Sequence, residues 1–286
     1  MKTNAIVRIV IFSIALLILA SILLVGIGAK YFTFEPSFQV SEDDQGLTSQ
    51  CTFPADKVKQ ISIDWVAGSI SIQPDDNAKE ITVCEKGYTE EKYRMECTNS
   101  GNTLNIDYCK DNFQVNFGFS VDSNITKDLL ITVPSGWLCD KLEIDAASAD
   151  LKVTDLTINK VDFEGASGEC DFDNCQVEVL DMDTASGNVE FFGTLNSLDF
   201  DGASADCELR LLTTPKRIDV DTMSGDLELY LPADSGFAVS MDTMSGNVHS
   251  DFETVIMGND DYVYGDGACR INISALSGNV GIYKLN

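Results

Sequence analysis

The residues able to do chemistry in this sequence are carboxylates, and they recur at fixed places. Of 286 residues, 46 are Asp or Glu and 19 are Lys or Arg, for a formal charge of −27. Three positions before six recurring serines stand Asp145, Glu164, Asp183, Asp201, Asp221 and Asp242, and five before stand Glu143, Asp162, Asp181, Asp199 and Asp219. Ranked carboxylates attract cations, so Asp183, Asp201, Asp221 and Asp242 are the candidate metal ligands. Calcium takes six to eight oxygens in a closed pocket, which a flat ladder supplies badly. The expectation is a solvated acidic face with diffuse divalent binding and no dedicated cofactor. Like charges ~4.8 Å apart repel by roughly 1 kcal/mol per pair in water, so the columns need counterions, protonation or a partner.

Other reactive types offer less. The recurring serines are Ser148, Ser167, Ser186, Ser204, Ser224, Ser245 and Ser277, and His249 is the only histidine. Seven serines without a base to activate them read as a hydrogen-bonded corner ladder rather than as nucleophiles. Nine cysteines include no CxxC pair, which excludes ribbon-type zinc and thioredoxin-like sites. Cys84, Cys97 and Cys109 lie in an irregular stretch and are candidates for bridges, whereas Cys170 and Cys207 fall in an inward column. A polysaccharide-cleaving β-helix enzyme needs carboxylates beside a base in a groove. Lys152, Lys160, Arg210, Lys216, Arg217 and Arg270 are few, and none stands in a column with its like. No catalytic residue is assigned and no enzyme is expected. Trp65, Trp137, Tyr262 and Tyr264 could stack on sugars; Trp65 falls at a degenerate bend and reads as packing at the cap, and the Tyr262–Tyr264 segment is the better ligand candidate.

The elements that carry these columns are short strands. Steps between the serines are 19, 19, 18, 20, 21 and 32 residues, and an eighth copy, ISIDWVAGSISI, puts Ala67 in the serine place. Apolar residues alternate on either side of each serine: Ile144, Phe163, Met182, Phe200, Val220, Met241 and Ile273 stand four before it. Period-two alternation means half-buried strands. One such unit cannot bury its own apolar face, but a stack can. Identical residues in identical columns favour parallel stacking over the rival antiparallel sandwich, and seven coils give a rod roughly 30 Å long. The position after the serine is always Gly or Ala. Because Ala149 and Ala205 resist positive φ, a corner too crowded for a side chain is the preferred explanation. Residues 73–141 fit the repeat poorly and read as strands and hairpins capping the stack, with alternation at Ile81–Val83, Leu104–Ile106, Phe113–Phe119 and Leu129–Val133. Asp251–Cys269 reads as a loop inserted before the last coil.

The N-terminus sets the compartment. Residues 9–29 are apolar and uncharged, long enough at ~1.5 Å per residue to cross a hydrocarbon core. Lys2 and Arg8 precede this run, and acids soon dominate after it, which places the N-terminus in the cytoplasm and the bulk outside. The run exceeds the ~7–15 residues usual in a signal peptide, although Ala29 keeps cleavage open. Without the two charges of Lys2 and Arg8 the remainder carries −29, a surface that repels nucleic acid and anionic lipid.

The recurring Ser-Gly-Asp/Asn-Val core, the Ile-x-Ile-Asp strand before it, the LLITVP segment and Gly265 and Gly267 before the last coil resemble a bacterial adhesin-like family, a domain of unknown function with β-strand repeats. The likeness covers roughly residues 55–286, and the cysteines, Ala149 and Ala205 depart from it. It implies a surface-exposed protein, often membrane-anchored, sometimes linked to envelope stress.

The expectation is therefore an all-β protein, a β-solenoid behind one N-terminal transmembrane helix. The divisions are residues 1–8 cytoplasmic, 9–29 transmembrane, 30–50 tether, 51–141 an N-terminal β cap and 142–286 the repeat solenoid. Its function is surface binding, adhesion or envelope scaffolding at the bacterial cell membrane. Its partner is an unknown surface ligand or envelope protein and not nucleic acid. The alternatives are a regulatory partner of an envelope-stress sensor and, less favoured, the carbohydrate-active enzyme.

Overall fold

The computed structural model describes residues 39–43, 46–88, 90–109, 126–253, 255–256 and 261–285. The apolar run 9–29 and the alternation at 113–119 lie outside them. Among the described residues no helix is long and apolar enough to cross a membrane.

In chain order the strands are β1 (Gln39–Asp43), β2 (Gly46–Pro54), β3 (Gln60–Asp75), β4 (Glu80–Tyr88), β5 (Glu96–Ser100), β6 (Thr103–Asp107), β7 (Lys127–Pro134), β8 (Leu138–Thr154), β9 (Thr157–Ser167) and β10 (Cys170–Ser186). There follow β11 (Val189–Ser204), β12 (Cys207–Leu211), β13 (Arg217–Ser224), β14 (Leu227–Leu231), β15 (Phe237–Ser245), β16 (Val248–Ser250), β17 (Val255–Ile256), β18 (Asp261–Tyr264), β19 (Cys269–Ser277) and β20 (Val280–Lys284). The stretch read as a tether thus contributes β1 and part of β2, which pair antiparallel.

Each repeat folds as one coil with a limb before the serine and a limb after it. Coils pair in parallel and in register, with Ile144 against Phe163, Met182 against Phe200 and Phe200 against Val220. The alternating apolar positions fill the interior; Ile144, Leu180, Met182, Leu198 and Ile218 are all buried. A single coil cannot bury its own apolar positions, so stability comes from burying the columns between the two limbs of stacked coils.

The coils do not stack in chain order throughout. From Ser148 to Ser224 they do. The last coil, β19 and β20, then slides between the coil of β13 and β14 and the coil of β15 and β16. At the other end β3 lies between β8 and an outermost layer made by β6 and β7. The region read as a cap therefore supplies one more parallel layer, beyond which β5 and the β2–β4 pair close the end antiparallel to it. The described strands make nine layers, about 38 Å from first to last at ~4.8 Å per step. Burial explains the exchange at the C-terminal end. Val280 and Ile282 are buried, whereas the coil placed outermost carries exposed Val248 and the polar Ser250 in the same columns. The coil able to bury both its faces takes the interior place.

Three further readings change. Within Asp251–Cys269 the chain forms a hairpin, β17 and β18, whose second strand pairs antiparallel with β15. Basic residues do meet in columns, Lys141 beside Lys160 and Arg217 beside Arg270, the second pair only because the last coil is displaced. Glycine corners do use positive φ. Gly187 has φ 119°, and a Cβ there would lie 1.9 Å from the Gly168 carbonyl oxygen, so crowding and backbone conformation act together. Ala149 and Ala205 are not among the positive-φ residues, and their side chains are buried.

A buried ion network holds the N-terminal end. Lys127 and Glu85 are both fully buried. Lys127 Nζ donates to Glu85 Oε2 at 2.8 Å, to the Tyr93 carbonyl at 2.8 Å and to the Tyr108 carbonyl. Glu85 Oε1 accepts from Ser49 Oγ and from the Met95 N–H, each at 2.7 Å. Trp65 Nε1 donates to the Lys127 carbonyl at 3.1 Å. Burial pulls the Lys127 pKa down against the pull of Glu85 upward. The pair is tolerated in the core because every group has a partner.

Candidate functional site

The acidic columns lie side by side on the outer face of the limb before the serine. One runs Asp107, Asp64, Asp145, Glu164, Asp183, Asp201 and Asp221, seven acids in consecutive layers. The other runs Glu143, Asp162, Asp181, Asp199 and Asp219. Of the candidate ligands, Asp183, Asp201 and Asp221 are neighbours. Asp242 is not: Ser274 of the displaced coil stands between it and Asp221. The same coil puts Asn272 next to Asp219, donating from Nδ2 to Oδ1 at 2.6 Å. A neutral layer thus interrupts the first ladder before Asp242 and ends the second at Asp219, which relieves their repulsion there.

The two columns differ in how their charge is met. Lys141 Nζ lies 3.1 Å from both Glu143 and Asp162, Lys160 Nζ lies 3.2 Å from Asp162 and 3.1 Å from Asp181, and Arg217 pairs with Asp219. Burial would raise the Asp162 pKa, but the two ammonium groups outweigh it and hold it below its ordinary value. Among the described residues no cation pairs with the other column. There Asp145 and Asp183 are pushed up to about 6 and Asp201 to about 7, first by burial between the layers above and below, then by neighbouring carboxylates. Asp107 reaches about 6, and burial raises Asp64 as well. Stacking therefore makes these groups half-buried, where alternation alone reads them as solvated. Asp64 was legible in the eighth copy of the repeat; Asp107 lies in the irregular region and had no such signal.

Among the described residues no three Asp, Glu, His or Cys side chains converge as a metal-holding group. The face can gather cations along its length, or lie against a cationic partner.

The serines mark the corners. Ser186, Ser245 and Ser277 donate from Oγ to the carbonyls of Ala166, Leu276 and Met223 in the adjacent coil, at 3.2, 3.5 and 3.4 Å. A second corner ladder stands two residues on. Asp150, Asp206 and Asp226 accept from the backbone N–H groups of Glu169, Asp226 and Asn279 at 3.0, 2.8 and 2.7 Å. This is the physical basis of Asp or Asn after Ser-Gly: a short side-chain oxygen reaches the next layer's N–H where the strand has turned.

The aromatic candidates serve packing. Trp65 is fully buried and meets Tyr108 edge to face at 5.0 Å. Trp137 Nε1 donates to the Val58 carbonyl. Tyr264 packs on Phe237 and Phe252, and Tyr262 lies against the core. Cys51, Cys84, Cys97, Cys139, Cys170, Cys175, Cys207 and Cys269 are free thiols, so the expected bridges at Cys84 and Cys97 are not formed, and burial pushes the Cys97 thiol well above its ordinary value.

The Toastrack DUF4097 family matches residues 58–154 and again 138–283. A solved structure of a "putative adhesin" from Bacteroides fragilis shares 14% identity at a TM-score of 0.50, covering 87% of this chain and 99% of its own. A "putative cell adhesion protein" from Clostridium sporogenes shares 12% at 0.39, covering 88% and 100%. A "putative lipid binding protein" from Parabacteroides distasonis shares 17% at 0.39, covering 84% and 96%. Likeness at this identity concerns the fold alone. No curated protein matches the chain at a significant level.

Proposed function

The chain belongs to the Toastrack DUF4097 family, and from that premise we propose that it is a surface-binding or scaffolding protein of the bacterial envelope, acting through its acidic face and not by catalysis. The carrying observation is the seven-layer acid column, in which a rigid stack holds carboxylates close together with no ion-paired cation among the described residues. That arrangement stores repulsion which a cationic partner, or divalent ions shared with an anionic one, would relieve. The apolar run at residues 9–29 would anchor the chain, with the acidic bulk outside.

Three measurements test this. Protease added to intact protoplasts removes the stack if it faces outward; full protection reverses the orientation. Calcium or magnesium at millimolar concentration raises the melting temperature above that in sodium chloride of matched ionic strength, and a lysine-rich peptide binds the face. A melt unchanged by divalents, together with no peptide binding, removes the acidic face as the contact surface.

A further inference from the structure

Beyond that reading, a third side of the coils carries a groove of about 350 Å³, separate from the acidic face. It runs over four coils, about 14 Å at ~4.8 Å per step. One wall is the column Thr157, Gln176, Thr194; the other is Asn159, Glu178, Asn196. The chain turns sharply beside it at Asp155 and Asn174, both at positive φ, which sets this short segment at an angle to its neighbours.

The chemistry of the groove contrasts with the rest of the molecule. In a chain of net charge −27, its two walls hold a single acid, and Asn196 Nδ2 donates to that acid's Oε1 at 2.6 Å. Asn159 is held likewise by Asp140 at 3.2 Å. Thr157, Gln176 and Thr194 make no side-chain hydrogen bond among the described residues. The groove therefore offers hydroxyl and amide groups, donors and acceptors both, repeated once per coil.

That pattern selects among ligands. Ile158, Val177 and Leu195 beneath it are buried, so no apolar wall is available to a lipid or aromatic ligand. Residues 157–159 and 176–178 are paired on both sides, and only residues 194–196 lack a ladder partner on one side, too short a free edge for an extended peptide to add as a strand. Neither a polyanion nor a polycation gains much from a strip of neutral groups. We propose that the groove binds an extended, neutral, polyhydroxylated chain, a polysaccharide strand lying along the stack and hydrogen-bonded coil by coil. Each sugar contributes weakly, and affinity accumulates with the number of coils spanned.

Neutral hexasaccharides of glucose and of N-acetylglucosamine, each beside its disaccharide, are titrated into the full-length protein in detergent micelles. At least one hexasaccharide binds with a Kd of about 1 mM or tighter, at least about tenfold tighter than its disaccharide. Thr194→Val with Asn196→Leu lowers that affinity about tenfold or more while the far-UV spectrum and melt are kept. If the double substitution disturbs folding, Gln176→Arg, at an exposed position, blocks the groove by bulk and reads the same loss. The proposal is overturned if no hexasaccharide binds up to about 10 mM, if binding ignores these substitutions, or if an extended peptide binds there instead. None of these outcomes bears on the acidic face, whose tests are separate.

Discussion

At the scale of single residues, what matters is the distance between layers. Gly187 sits where the preceding coil's backbone leaves no space for a Cβ and where φ is positive. Gly187→Ala should cost about 2–4 kcal/mol in urea unfolding, since strain and a forced backbone shift add. A loss under about 0.5 kcal/mol would show that the corner relaxes freely. The same spacing governs Cys170 and Cys207. Val189 lies between them in the column, so two steps, about 9.6 Å, separate the pair, beyond the ~7 Å a disulfide allows. Burial pushes both thiols up to about 12. Both should react with a thiol reagent at least about 100-fold more slowly than the partly exposed Cys84. A Cys170–Cys207 peptide in a non-reduced digest would contradict the register.

At the scale of the element, the acid column behaves as one titrating ladder. Asp107, Asp145, Asp183 and Asp201 hold protons more tightly in the folded state than ordinary carboxylates do. Their contribution to stability is therefore full below the ordinary carboxylate range and is lost as pH rises through about 6 and about 7. Asp162, with its pKa lowered, works in the opposite direction, but it is one group against these four and the likewise raised Asp64 and Asp199. Calorimetry should give a higher melting temperature near pH 5 than near pH 7.5, by a few degrees. The gap should narrow in high salt, which screens the neighbouring carboxylates. A melt flat or rising with pH across that window would remove the ladder as a significant load on the fold.

At the scale of the whole molecule, the displaced coil makes the two ends unlike ordinary solenoid ends. A stack in chain order would fray from its last coil; here β19 and β20 are inserted one layer in. A chain ending at residue 268 should therefore lose more than its final layer. Residues 217–231, now facing β19 and β20, should lose hydrogen-exchange protection by about 100-fold or more, and β15 and β16 should detach. Protection confined to its former level at 217–231 would show that β15 and β16 close onto β13 and β14 directly.

The alternation around each serine, the column of acids and the Gly or Ala corner were legible in the sequence. Each reports a local constraint repeated in every coil: which side chains face inward, and where the chain must turn. Those local constraints suffice for an all-β stack with parallel registers. They do not determine which coil lies next to which, because every coil presents nearly the same columns to a neighbour. That choice is made by burial summed over the whole stack, which sends the coil with Val280 and Ile282 inside and leaves the coil with Val248 and Ser250 at the end. The raised carboxylate pKa values, the Lys127–Glu85 network and the Arg217–Arg270 contact likewise depend on residues brought together only by layer order and tertiary packing.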